Sequence, residues 1–213
     1  DRKSITDAVA APNVDSELLK SVLVQHESGV DLLLAPATPE ESDLISEDRM
    51  AQVLQTLRAM YDYVIVDVDK RLGDLTLSIL DHADELWIVM TADLSCLKNV
   101  RLVLDALHRI GFQADRLRMI LNRSNAFTGI SPGAAESALK RKFEAQVEND
   151  YRIAITAQNT GNPFSMSKPD SPLARQISVL ARQIDSTAQP LLEAGANAPK
   201  GQQKKGRVGV LRR

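Results

Sequence analysis

The chain predicts an α/β domain built on a parallel sheet with helices on both faces. Short apolar runs alternate with amphipathic helical patterns along most of the chain. Two of the runs, Val64-Ile65-Val66 and Leu86-Trp87-Ile88-Val89-Met90, are consecutive rather than alternating, which is how a strand buried on both faces reads. Every run is followed by enough helical pattern to make the right-handed crossover that a parallel neighbour requires.

Taken in order, Ile5, Val9, Leu18, Leu19, Val22 and Leu23 predict two short helical pieces around Pro12, with Asp15 or Ser16 as the cap of the second. Gly29-Val30-Asp31-Leu32-Leu33-Leu34-Ala35-Pro36 reads as a short strand stopped by proline. From Pro39 a polar opening leads into Met50, Val53, Leu54, Leu57 and Met60, a helical spacing that carries the chain to the strand Tyr61–Asp67. A short helix from about Asp74 to His82 precedes the strand Glu85–Thr91, in which Trp87 is expected in the core. Leu94 to Ile110 is a long amphipathic helix closed by Gly111, and Leu117–Arg123 is the next strand. Ser131-Pro132 opens a helix running to about Lys142. A weaker strand at Phe143–Val147, a helix from Tyr151, a Gly161-Asn162-Pro163 turn and a helix from about Ser171 to Glu193 follow.

Composition narrows the function classes. The 213 residues are 44% hydrophobic and 25% charged, ordinary for a globular chain. A single Cys96 excludes an intramolecular disulfide and argues against a cysteine-rich zinc site. His26, His82 and His108 show no ligand spacing. No window is apolar enough for a spanning helix, and Asp1-Arg2-Lys3-Ser4 has no signal-peptide core, so a cytoplasmic setting is expected. The absence of an initiator Met points to a start inside a longer polypeptide. The net charge of −2 divides unevenly, since Lys200, Lys204, Lys205, Arg207, Arg212 and Arg213 form a basic, Gly/Gln-rich end without acids. Residues 194–213 are therefore expected to be a solvated, disordered tail. The acidic remainder disfavours DNA.

The predicted strands end on polar groups: Asp67, Asn122-Arg123 and Asn149-Asp150. In open parallel sheets ligands bind beyond the carboxyl ends of strands. A strand-end Asp can hold the Mg²⁺ shell of a nucleotide, and an amide can read a base edge by donating and accepting together. The competing reading makes the same residues turn and cap groups.

The ordered set Tyr61-Asp62-Tyr63-Val64-Ile65-Val66-Asp67, Leu72-Gly73-Asp74-Leu75-Thr76-Leu77, Ile120-Leu121-Asn122-Arg123, Asn149-Asp150-Tyr151-Arg152, Gly161-Asn162-Pro163 and Ser171-Pro172-Leu173-Ala174 resembles the MinD/ParA-type deviant Walker ATPases. Within them it is most similar to the CpaE/TadZ branch associated with Tad (Flp) pilus assembly. The resemblance spans roughly residues 1–185 and implies a three-layer P-loop NTPase fold of the MinD-like class, with residues 1–193 as the C-terminal part of the ATPase domain. It implies ATP and Mg²⁺ as cofactors: Asp67 acts on Mg²⁺ through water, Asn122 contacts adenine, Arg123 flanks the base, and Asn149 and Asp150 stand in the adenine-side loop. It also implies a homodimer closed by ATP, with pilus or secretion assembly proteins as partners at the inner face of the membrane or the cell pole.

The departures are as informative. The family's phosphate-binding loop and the first strands around it have no counterpart here. The spacing Gly201 to Gly206 is followed by Arg207-Val208 instead of Lys-Ser/Thr. Where the family commonly has Asp-x-Pro-Pro the chain has Asp67-Val68-Asp69-Lys70, and Glu148 replaces a usual proline before Asn149. No catalytic residue is assignable without the phosphate loop, and the chain alone is expected to be inactive. A partition or division-site ATPase and a non-catalytic interaction domain are the alternative functions. Lost first strands would leave an apolar sheet edge, so self-association or poor solubility is expected.

Overall fold

The computed structural model describes residues 3–69, 71–196 and 207–212, with side chains described to residue 184. The described residues of Asp1–Asp84 form one compact unit and those of Glu85–Asn197 a second.

The first unit begins with α1 (Ile5–Ala10) and α2 (Ser16–Val22), on either side of Pro12 as expected. Ser4 caps α1 in a reciprocal box, its own N–H donating to the Asp7 carboxylate at 2.7 Å, and Asp15 caps α2. The expected strand at Gly29–Pro36 shrinks to β2 (Asp31–Leu32), paired antiparallel with β1 (Val24–Gln25). This hairpin is a departure from the all-parallel expectation. Leu34 shows why the strand stops, because its carbonyl accepts from Ile5 N–H at the start of α1. The segment from Pro39 breaks into α3 (Pro39–Ser42) and α4 (Glu47–Met60), the second capped by Ser46. Met50, Val53, Leu54 and Leu57 of α4 are buried, and the helix packs on α1, α2, β3 (Tyr63–Val68) and α5 (Asp74–His82).

In β3 the structure corrects the sequence expectation. Val64 is buried, but Tyr63 is 38% and Ile65 71% exposed, so the strand is covered on one side only. Consecutive apolar residues permit burial on both faces; they do not provide the elements that achieve it.

The second unit holds the parallel sheet β4 (Glu85–Met90), β5 (Leu117–Asn122) and β6 (Ala145–Val147), in register Leu86↔Leu117 through Met90↔Leu121 and Ile120↔Ala145 through Asn122↔Val147. The crossovers are α6 (Leu94–Arg109) and α7 (Pro132–Leu139). Helix α6 ends as predicted at Gly111, which adopts φ 75°. Helix α7 stops earlier than expected because Lys140 takes a left-handed φ of 54°. Then come α8 (Tyr151–Thr160), closed by Gly161, the unforeseen α9 (Phe164–Ser167) and α10 (Pro172–Ala196).

Trp87 is in the core with Ile120, Val147 and Leu173, against Ile153, Phe164 and Ile177 from the three last helices. Its indole N–H donates to Glu85 at 3.0 Å, and Arg118 reaches the other Glu85 oxygen at 3.3 Å, which satisfies a carboxylate only 5% exposed. Leu86, Ile88 and Met90 alternate onto the opposite face and are also buried. A last strand, β7 (Arg207–Arg212), lies in the stretch expected to be a disordered tail; 197–206 and 213 lie outside the described residues.

Candidate functional site

The carboxyl ends of β5 and β6 bring together four of the predicted site residues. Asn122 is the last residue of β5 and is aligned with Val147, the last of β6. The chain then turns sharply: Arg123 has φ 52°, Ser124 N–H donates to the Val147 carbonyl, and Ala126 N–H closes back on the Arg123 carbonyl. Short parallel strands leave their terminal peptide groups unpaired, and this turn satisfies them while holding the Arg123 side chain out in solvent.

Asn122 is half-buried, and its side-chain oxygen accepts from Arg123 N–H at 2.9 Å. That bond fixes which end of the amide is oxygen, leaves the NH₂ group as the outward donor, and keeps one lone pair of the oxygen for a second donor. Asn149 is exposed; its N–H donates to the side-chain oxygen of Asn125 at 2.8 Å, tying the loop after β6 to the turn after β5. Asp150 caps α8 by accepting from Ile153 N–H at 3.0 Å. One Asp150 oxygen thus has a structural task whatever else the loop holds.

Asp67 stands in the first unit, exposed and next to last in β3. Among the described residues no group of three or more His, Cys, Asp or Glu could hold a metal ion. Mg²⁺ on a nucleotide needs no such group, because it is held by one or two carboxylates, phosphate oxygens and water. A carboxylate at a strand end fits that donor set. Among the described residues the phosphates find no cradle: Gly73, which precedes α5, is not followed by a lysine, and the Gly201–Gly206 spacing and Lys70 lie outside them. The described residues offer polar groups for a base at the β5–β6 edge and, in the first unit, a carboxylate suited to a metal ion, but no cradle for a triphosphate, and no phosphoryl-transfer step follows from them.

Sequence reasoning missed several supports of this edge. Asn125 could have been suspected from its place in a polar turn, whereas Gln176, whose side-chain oxygen accepts from Glu148 N–H at 2.8 Å, gave no signal. Thr128 donates to the Ala92 carbonyl at 2.6 Å, which draws the loop carrying Phe127 to the start of α6. There Asp93 accepts from Thr91 and from Cys96 N–H; these bonds, the Thr91 hydroxyl first, hold its carboxyl below the usual range.

No family model matches the chain. It is 25% identical over 167 residues to an ATP-binding protein of Methanocaldococcus jannaschii, covering 78% of this chain and 62% of that protein. It is 24% identical over 188 residues to the septum site-determining protein MinD of Thermotoga maritima, covering 85% of this chain and 69% of the relative. The chain thus spans under two thirds of the first of these relatives. A ParA family ATPase from Chlorobium tepidum superposes with a TM-score of 0.80 at 25% identity, over 85% of this chain and 76% of that one. These similarities are to MinD/ParA-type ATPases, and the parallel sheet flanked by helices has the fold of the P-loop NTPase structures of that class.

Proposed function

We propose that this chain, which has the ParA/MinD-type ATPase fold, is a nucleotide-governed dimerising scaffold of the CpaE/TadZ kind, serving the assembly or placement of a Tad-type pilus. One observation carries the nucleotide reading: Asn122, oriented by its bond to Arg123, ends a buried parallel strand beside the loop of Asn149 and Asp150. In this reading Asn122 and Arg123 meet adenine, Asn149 and Asp150 form the adenine-side loop, and Asp67 acts on Mg²⁺ through water. The phosphate loop and first strands come from a segment outside these residues, with 1–193 forming the remainder of one ATPase domain. The protein works in the cytoplasm, recruited to pilus or secretion proteins at the inner membrane face or the cell pole. Among the described residues no helix is long and apolar enough to cross a membrane.

The test compares binding of a fluorescent ATP analogue with Mg²⁺ by the chain as given and by the chain joined to its upstream reading frame, with Asp67→Ala and Asn122→Ala in the joined form. Binding only in the joined form, weakened by both substitutions, is expected. A joined form that ignores millimolar ATP would sink the nucleotide switch and leave a non-catalytic interaction domain.

The MinD relative favours a second reading, a partition or division-site ATPase that uses DNA or membrane as its matrix. The acidic body argues against DNA. Strong liposome flotation, or DNA binding that falls with salt, would shift the assignment to this alternative.

A further inference from the structure

Residues 147–149, which lead from β6 into the candidate site, have little apolar anchorage. Val147 is buried, but Glu148 and Asn149 are exposed. Their backbone is held by one bond per residue to another part of the second unit. The Val147 carbonyl accepts from Ser124 N–H at 2.9 Å, Glu148 N–H donates to the Gln176 side-chain oxygen at 2.8 Å, and Asn149 N–H donates to the Asn125 side-chain oxygen at 2.8 Å. Two of these three anchors are therefore side-chain amides, one in the turn after β5 and one on α10.

Ser124 and Asn125 belong to the turn that also orients Asn122. Arg123 N–H donates to the Asn122 side-chain oxygen, and the left-handed φ of Arg123, uncommon for a residue with a Cβ, is closed by Ala126 N–H on the Arg123 carbonyl. Turn and loop are thus clamped together, with Asn122 on one side and Asn149 and Asp150 on the other. Adenine presents an amino donor beside a ring-nitrogen acceptor, whereas guanine presents a carbonyl beside a ring N–H. With its oxygen fixed by Arg123, Asn122 meets the adenine edge oxygen to amino group and NH₂ to ring nitrogen; exchanging its two ends to suit guanine would set NH₂ against Arg123 N–H. That discrimination holds only while the opposite loop keeps the base in one pose, since a loop displaced by about an ångström lets the base slide to another pairing.

We propose that Asn125 and Gln176 are positioning residues of the base site, which fix the loop 147–149 so that a bound base meets Asn122 in a single pose and thereby set a preference for adenine over guanine. This inference rests on the nucleotide reading of Asn122 and adds the source of its selectivity.

Equilibrium binding of ribose-labelled ATP and GTP analogues with Mg²⁺, by the chain joined to its upstream reading frame, tests it. Asn125→Ala and Gln176→Ala are each expected to weaken ATP binding about three- to tenfold, as the loss of one neutral hydrogen bond would. GTP binding should weaken less, so that the ratio of the two affinities falls. Asn125→Asp and Gln176→Glu keep an acceptor oxygen in place and should restore both the ATP affinity and the ratio. A role confined to supporting the fold would lower the melting temperature without moving that ratio. In the protein without nucleotide, the amide protons of Glu148 and Asn149 should exchange with deuterium faster in the Ala variants than in the parent. An ATP affinity and a base preference that are unchanged in both Ala variants, or Asp and Glu variants that restore neither, overturn the positioning role and leave the base site standing. A joined chain that binds neither analogue overturns the nucleotide reading and this inference with it.

Discussion

Strands β3 and β4 look alike as text and differ as structure. Each has a run of consecutive β-branched and aliphatic residues, yet β4 is buried on both faces except for a half-buried Val89, while β3 presents Tyr63 and Ile65 to solvent. The difference lies in what packs on them. Strand β4 has Leu173 and the apolar face of α10 beyond Trp87, and α6 is also in contact with it. In the first unit α4 packs on β3, and the side of Ile65 remains open. A strand's own sequence records the solvent it can tolerate; the neighbours decide the solvent it meets.

The largest test of this contrast is a matched truncation. Leu86→Ala, at a fully buried position, is expected to cost about 2–5 kcal/mol in urea unfolding. Ile65→Ala should change stability by no more than about 0.5 kcal/mol. Equal losses would mean that Ile65 is covered in solution, and the contrast would collapse.

A smaller effect is expected at the base of β4. Arg118→Ala removes the ion pair to the buried Glu85 carboxylate and should cost about 1–3 kcal/mol, whereas Arg118→Lys should recover part of the loss. Smaller still is the cap of α8: Asp150→Ala should cost about 1 kcal/mol and Asp150→Ser much less. If nucleotide binding by the upstream-joined chain follows the cap, falling with Ala and kept with Ser, Asp150 serves the site by holding the loop.

The last test is a pH limb of the first unit. Burial, then the hydrogen bond and negative charge of Asp31, push the Tyr61 hydroxyl up to about 12. In the unfolded chain it ionises near pH 10, so the folded form holds the proton more tightly between these values. That contribution is complete below pH 10 and is lost as the pH rises toward 12. Melting temperatures followed through this window should fall less in Tyr61→Phe than in the parent protein.

Much of the fold was legible because caps and stops are local. Asp15, Ser131 and Gly111 mark helix ends by hydrogen bonds or backbone angles that each residue makes nearly alone. The runs of β4 and β5 were legible for the same reason. The Gly29–Pro36 strand was not, because whether Leu33 and Leu34 join a ladder depends on distant partners, and the Leu34 carbonyl is taken by Ile5. At the candidate site Asn122 and Asp67 were visible as strand-end polar residues. The sequence alone did not show that Asn149 N–H is held by Asn125, since two loops meet there only after three strands have aligned.

Arg49 carries a consequence for how the molecule opens. Helix α1 has 6 residues, too few to persist alone in water. Its C-terminal carbonyls and the linker beyond are gripped by the Arg49 guanidinium, while Thr56 of the same helix α4 holds the Val14 carbonyl. Helix α1 should therefore not fray as a helix so short otherwise would. Its amide protons should exchange with deuterium in step with those of α4, as one cooperative unit, and Arg49→Ala should release α1 to fast exchange while leaving the core of α4 protected.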